Sequence, residues 1–277
     1  MPKLDVADLP PGWLVPDWPA PPHVRAVMTS RHGGVSLPPC DSFNLGSHVG
    51  DTPEAVAHNR TALAARLGAQ PVYLDQVHGQ AVVQLARQAA PPCDGMQADA
   101  CTTSERGLAC TVMVADCLPV LLTTADGRLV GAAHAGWRGL AGGVLEAFFE
   151  SFRHQALVES SDSAMKKGVS EAAFPGQCMA WLGPCIGPER FEVGSEVRTA
   201  FVAQRPGDAA CFQDLGHGKF LADLPALARC RLQALGITAL YGNNSTPLWC
   251  TVSHPSRFFS HRRDGRSGRM AVCVWRV

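Results

Sequence analysis

Three apolar runs that follow one another almost without interruption, "GLACTVMVAD", "CLPVLLTT" and "RLVGAAHA" (107–135), constrain this chain more than any other stretch. Each is short, apolar and bounded by turn residues, which is the pattern of a β-strand. "ADGR" between the second and third is a short Asp-Gly hairpin signal. From Leu140 to about Phe152 the apolar spacing becomes that of a helix. The same alternation continues on either side. "HVRAVMTS" reads as a strand, and Pro53 to about Leu67 as a helix, with Asp51 or Thr52 as cap, proline at its first position and Gly68 at its end. "PVYLDQV" and "QAVVQLA" read as two strands that meet at a turn carrying His78. Beyond the middle of the chain come the strand "QCMAWLG", the turn "PCIGPERFEVG", helices from Ser195 to about Gln204 and from about Leu221 to Leu235, and the strands "ITALYG" and "MAVCVWRV". The expectation is one α/β domain over 1–277, with mixed, largely antiparallel sheets flanked by helices. The segment 155–176 loses apolar periodicity and gains Ser, Lys and Glu, so it reads as a surface insertion.

Composition narrows the partners. The chain has 277 residues, of which 46% are apolar and 17% charged, and its Lys+Arg and Asp+Glu counts are both 24. A large core therefore fits in one domain, and a nucleic-acid tail or polybasic membrane patch does not fit the charge pattern. The expected partner is a small molecule, with neither nucleic acid nor membrane involved, and the expected state is a monomer. Pro and Asp interrupt the first residues where a signal peptide needs an apolar segment, and no later run is long enough to span a bilayer. The eleven cysteines form no CxxC pair and sit mostly in apolar surroundings. They read as reduced core residues of a cytoplasmic protein.

No Walker A segment, GxGxxG, HExxH or GxSxG is present, and "DSFNLGSHVGD" lacks the alternating oxygen ligands of a calcium loop. What remains is a set of three residues at turns beside strands: His78 in "LDQVHGQ", Cys117 in "VADCLPV" and His134 in "AAHAGWRG". Two imidazoles and a thiolate leave a fourth position for a non-protein ligand, as a catalytic zinc site requires. Their separations of 39 and 17 residues match no local finger spacing. On residue chemistry alone the three are core filler, a thiol with its base, or ligands of one metal ion.

The long loop "RHGGVSLPPCDSFNLGSHVGD" (31–51) is a second candidate region, because loops of that length often carry function. Arg31 offers a guanidinium fork, and Asn44 could read a base or a ribose hydroxyl or else bond its own backbone. Arg138, among the glycines of "HAGWRGLAGG", and Arg263, in "HRRDGRSGR" with Arg262, Arg266 and Arg269, are further anion candidates. Asp116 either orients a ligand histidine or bonds backbone amides. Cys185 reads as a structural corner, Trp137 as a packing residue on which a purine could stack, and His32, His48 and His261 as loop histidines.

"RHGGVS", "FNLGSHVGD", "LDQVHG", "ADA", "VADCLPVLL", "AAHAGWRGL", "GPCIGPERFEVGSEV" and "FFSHRRDGRSGRMA" occur in order from about Arg31 to Ala271. Together they resemble the YfiH-like laccase-domain family, also called multicopper polyphenol oxidoreductases and purine nucleoside phosphorylases. The resemblance implies mixed sheets flanked by helices, similar to the catalytic domain of the cytotoxic necrotizing factors. It implies that His78, Cys117 and His134 are the metal-binding and catalytic triplet. It further implies phosphorolysis of adenosine, inosine, guanosine and methylthioadenosine, with deamination of adenosine. Zinc is the expected cofactor, and copper suits the same donor set. A multicopper cluster does not fit, because the ten histidines include no HxH pair. The rival readings are a metal-free cysteine hydrolase acting on peptidoglycan precursors, with Cys117 as nucleophile, and a non-catalytic zinc-binding protein. Copper-dependent polyphenol oxidation is a third.

Overall fold

The structure, a computed structural model, describes residues 9–86, 95–159 and 173–277. Among the described residues the elements in chain order are β1 Val24–Met28, α1 Pro53–Leu67, β2 Gln70–Val72, β3 Leu74–Asp75, β4 Val82–Gln84, β5 Met96–Gln97, β6 Ala100–Thr103, β7 Leu108–Val114, β8 Leu118–Thr124, β9 Val130–Ala135, α2 Trp137–Gly142, α3 Val144–Glu159, β10 Cys178–Leu182, β11 Glu192–Gly194, α4 Ser195–Val202, β12 Phe212–Gly216, β13 Lys219–Ala222, α5 Leu224–Ala234, β14 Ala239–Gly242, α6 His261–Asp264 and β15 Met270–Arg276.

Two large sheets carry the fold. One has the order β1-β15-β7-β2 and the other β14-β10-β8-β9-β6-β4. Most neighbours are antiparallel, with parallel pairs at β2·β7, β4·β6 and β10·β14. The sheets face each other across an apolar layer that includes Val112, Val272 and Val274 from the first and Leu121, Val130 and Trp181 from the second. The outer face of the six-stranded sheet is covered by α3 and α5, through Phe148, Phe152 and Leu227 among others. The outer face of the four-stranded sheet takes Leu63 and Leu67 of α1 together with Phe43 and Leu45 of the long loop. Because β7, β8 and β9 are covered on both faces, every residue in them is buried, so they read as unbroken apolar runs instead of alternating ones. Each large side chain buried in these layers contributes about 2 kcal/mol from area removed from water.

Helix α1 starts with proline and ends at Gly68 in the left-handed conformation (φ 60°), as its sequence requires. The helix expected from Leu140 begins earlier, at Trp137, and is broken in two by Gly143 (φ 101°), after which α3 starts at Val144. Leu221 and Ala222, expected to open a helix, belong instead to β13, which pairs with β11 and β12 in a small third sheet, and α5 starts at Leu224, capped by the Asp223 carboxylate. The expected surface insertion over 155–176 begins too early. Residues 155–159 complete α3, where buried Gln155 accepts a hydrogen bond of 2.6 Å from Thr102, and Phe174 is buried in the core at the other side. The remainder of that segment, 160–172, lies outside the described residues. Among the described residues no helix is long and apolar enough to cross a membrane. Their cysteines are free thiols, and Cys101, Cys110, Cys178, Cys185, Cys250 and Cys273 are buried.

Candidate metal and active site

The topology brings the three turn residues to one place. Cys117 lies where the chain leaves β7 in one sheet and enters β8 in the other. His134 is near the end of β9, and Pro119 of β8 stands opposite it. His78 sits on the turn after β3, with its backbone in the left-handed region (φ 61°), and Asp116 just before Cys117 has φ 89°. Such backbone costs energy in a non-glycine residue and persists only where surrounding bonds enforce it. At His78 the enforcing group is Asp99. Its fully buried carboxylate accepts the backbone N–H groups of Val77 (3.3 Å), His78 (3.0 Å) and Gly79 (2.6 Å), and it also holds the His134 Nδ1 at 2.8 Å. One carboxylate therefore fixes the turn that carries one histidine and the ring of the other.

The resulting group is tight. Single ligand atoms of His78, Cys117 and His134 lie within 4.8 Å of one another, and the Cys117 Sγ is 3.7 Å from the His78 Nε2. The two imidazoles meet edge to face with centroids 4.8 Å apart. Gly136 makes this approach feasible. A Cβ there would fall 2.7 Å from the His78 Cδ2 and 3.0 Å from the Cys117 Sγ. Gly139 likewise lets the first turn of α2 lie against the Gly79 carbonyl. These glycines of "HAGWRG" thus serve close packing onto the His78 turn.

The electrostatics follow from burial and partners. Burial raises the Cys117 thiol, but the His134 charge and hydrogen bonds from both histidines outweigh it and bring the pKa to about 6. Burial lowers His134, while the Cys117 thiolate and Asp99 more than compensate and raise it to about 9. Asp99 is raised by burial and lowered further by His134 and the backbone donors, so its net shift is downward. In the absence of metal the centre is a thiolate beside an imidazolium. With metal, the same arrangement presents a thiolate and two imidazoles. Because Asp99 occupies Nδ1 of His134, Nε2 is the nitrogen left for coordination, and carboxylate support of a ligand histidine is the usual arrangement around such ions. A tetrahedral zinc ion needs donors about 3.5 Å apart, close to the Cys117–His78 distance, so the residues fit the group.

Asp116 has a different role. Its carboxylate accepts Thr251 Oγ1 (2.5 Å), Ser260 Oγ (3.0 Å) and the Arg262 N–H (2.7 Å). It orients no histidine and ties the 251–262 segment to the strand end before Cys117. The apolar slot beside Cys117, a cavity of about 140 Å³, is walled by Trp137, Ile186, Phe191 and Leu224, with His261 and Arg262 at its edge. Cys185 is a fully buried corner that pairs with Cys250 through an isolated bridge.

The substrate-binding candidates are placed as follows. Arg31 pairs with Asp41 at 3.1 Å, donates to the carbonyls of Asp41 and Pro255, and lies over the Phe259 ring. Asn44 is fully buried. Its Oδ1 accepts the N–H groups of Gly46 and Arg269, and its Nδ2 donates to the Gly46 carbonyl and to Asp51. Arg263 donates to the carbonyls of Thr251, Val252 and Phe258 and pairs with Asp264. These three are spent on holding loops together. Arg138 is exposed and rests over the Trp137 ring at 4.5 Å. Asp99 is the residue that sequence reasoning did not single out, although it lies in the quoted "ADA", where nothing local distinguishes it from a strand-end aspartate.

A family model described as multi-copper polyphenol oxidoreductase laccase matches residues 25–277. The chain belongs to this family. Relatives of closely matching length include a purine nucleoside phosphorylase of Pseudomonas aeruginosa, 48% identical over 95% of this chain and 98% of that one, and the purine nucleoside phosphorylase YfiH of Escherichia coli, 44% identical over 95% and 98%. Among solved structures, a Neisseria meningitidis protein superposes with a TM-score of 0.83 at 44% identity, covering 96% of this chain and 99% of that one. YlmD of Geobacillus stearothermophilus superposes with a TM-score of 0.79 at 30% identity, covering 96% of each.

Proposed function

We propose that this protein is a metal-dependent purine nucleoside phosphorylase that acts on adenosine, inosine, guanosine and methylthioadenosine and also deaminates adenosine. The observation that carries the reading is the His78–Cys117–His134 group in a chain 42–48% identical to proteins named purine nucleoside phosphorylase. Zinc is the proposed ion, with copper as the alternative, and His78, Cys117 and His134 are the residues that would hold it. Bound there, the ion supplies a Lewis acid beside the reacting bond.

The chain's own residues account for the rest. The apolar slot next to Cys117 seats the purine, with Trp137 in its wall available for stacking. Phosphorolysis forms a bond from a phosphate oxygen to the ribose C1′ while the bond from C1′ to the base breaks. The electron pair leaves with the base, which takes up a proton. Asp99 keeps His134 in one tautomer and so keeps the centre preorganised. Free buried thiols support a reducing, cytoplasmic setting. Purified protein incubated with each nucleoside, with and without phosphate, should yield free base and ribose 1-phosphate only when phosphate is present, and inosine from adenosine in either case. Release of base that is independent of phosphate would refute the phosphorylase reading.

One observation favours a second reading. Asp99, His134 and Cys117 stand in the order orienter, base and nucleophile, and the thiol is drawn to about 6. A metal-free cysteine hydrolase acting on peptidoglycan precursors would use that arrangement. Hydrolysis that survives chelation and is abolished by alkylation of Cys117 would select it.

A further inference from the structure

The phosphorylase reading needs a phosphate site, and of the arginines expected to form one, Arg31 and Arg263 are bonded elsewhere. Arg269 is different. Its backbone N–H is fixed by the Asn44 Oδ1, and the loop passes it at Gly46, where a Cβ would lie 2.7 Å from the Arg269 Cγ. The long loop is thus cut back to let this side chain through. Its guanidinium makes two hydrogen bonds, both from Nη1, to the carbonyls of Ser267 (2.9 Å) and Gly268 (3.1 Å). Nε and Nη2, the two nitrogens that form a side-on fork, have no partner among the described residues, and no carboxylate pairs with it there. The neighbouring arginines differ from it. Arg266 uses Nε and Nη2 on the carbonyls of Val49 and Gly50, and Arg262, which donates from Nη1 to the carbonyls of Arg190 and Glu192, is exposed and lies over the Phe191 ring.

The location is as telling as the unused fork. The Arg269 charge acts on His48, which also senses His134, and is itself acted on by Cys117 and Asp116. Arg269 directly precedes Met270, which pairs with Val114 three residues before Cys117, and its carbonyl accepts the Leu45 N–H, so its backbone joins the long loop to the strand end that leads into Cys117. A partly buried guanidinium with a free fork favours an oxyanion, because bidentate charged hydrogen bonds recover its lost hydration.

We propose that Arg269 binds the phosphate co-substrate through Nε and Nη2, beside the His78–Cys117–His134 group. The proposal rests on the phosphorylase reading but is tested apart from it. Inorganic phosphate is titrated calorimetrically into the metal-loaded full-length protein and into Arg269→Gln and Arg269→Lys, and inosine phosphorolysis is measured at varied phosphate. Arg269→Gln should weaken phosphate binding and raise the KM for phosphate about 30-fold, with the KM for inosine, the metal content and the melting temperature unchanged. Arg269→Lys, which keeps the charge and loses the fork, should recover part of the loss. An unchanged KM for phosphate in Arg269→Gln overturns the proposal. If that variant fails to fold, an unchanged KM in Arg269→Lys does so. If the wild type turns over no nucleoside, the phosphorylase reading falls by itself. Calorimetry then decides: phosphate binding lost in Arg269→Gln upholds the site, and binding absent in the wild type or retained in the variant overturns it.

Discussion

Asp99 and Asp116 are both buried, both stand next to a strand end, and each accepts at least three hydrogen bonds, yet only one of them reaches a metal-ligating side chain. Asp99 spends its carboxylate on the His78 turn and the His134 ring. Asp116 spends its own on two hydroxyls and an amide of the wall around the slot. Burial and hydrogen-bond number therefore do not tell which aspartate shapes the chemistry. What tells is whether a ligand side chain is among the donors.

Substitution separates the two roles. Asp99→Asn should lower turnover by at least about 100-fold, because an amide can present its N–H to His134 Nδ1 and favour the wrong tautomer. Metal content, read by elemental analysis, should fall with it. Asp99→Ala should in addition cost about 3 kcal/mol of stability in chemical denaturation, since it strands three backbone donors. Asp116→Asn should cost about 1–2 kcal/mol and raise the KM for nucleoside, with metal content unchanged. Loss of metal in Asp116→Asn would erase the distinction.

Much of this arrangement was legible in the chain. The apolar runs, the Asp-Gly hairpin and the helix from Pro53 to Gly68 are governed by local patterns, and the structure follows them. His78, Cys117 and His134 stood out because each interrupts an apolar stretch at a turn. Asp99 did not, because its role depends on two turns 21 and 35 residues away in sequence, which no local pattern encodes. Arg31, Asn44 and Arg263 stood out as ligand candidates, and the structure shows each bonded within its loops. Loops of this length need side chains to satisfy their own carbonyls and amides, and from sequence such residues look the same as those kept for a ligand.

The comparison can also be sharpened by pH. Asp99 is held below its ordinary value of 3.8, so it stabilises the folded state fully above that pH, and the contribution is lost as pH falls through the lowered value. Acid unfolding of the metal-free protein should therefore shift in Asp99→Asn. In the same metal-free protein the rate of Cys117 alkylation should rise with a midpoint near pH 6 in place of the usual thiol range near 9, and Asp99→Asn should move that midpoint upward. Mass spectrometry of the alkylated peptide reads both. The smallest effect is expected at Arg31, where Arg31→Gln should cost about 1 kcal/mol in loop stability and leave the KM for phosphate within twofold.

The central claim is that His78, Cys117 and His134 hold one metal ion at the centre of phosphate-dependent cleavage of purine nucleosides. It is tested most directly by measuring bound metal and ribose 1-phosphate release together in the wild type and in Cys117→Ala. The account predicts about one equivalent of metal per chain in the wild type, and loss of both metal and ribose 1-phosphate in the variant. A folded Cys117→Ala protein that still releases ribose 1-phosphate at the wild-type rate would contradict it.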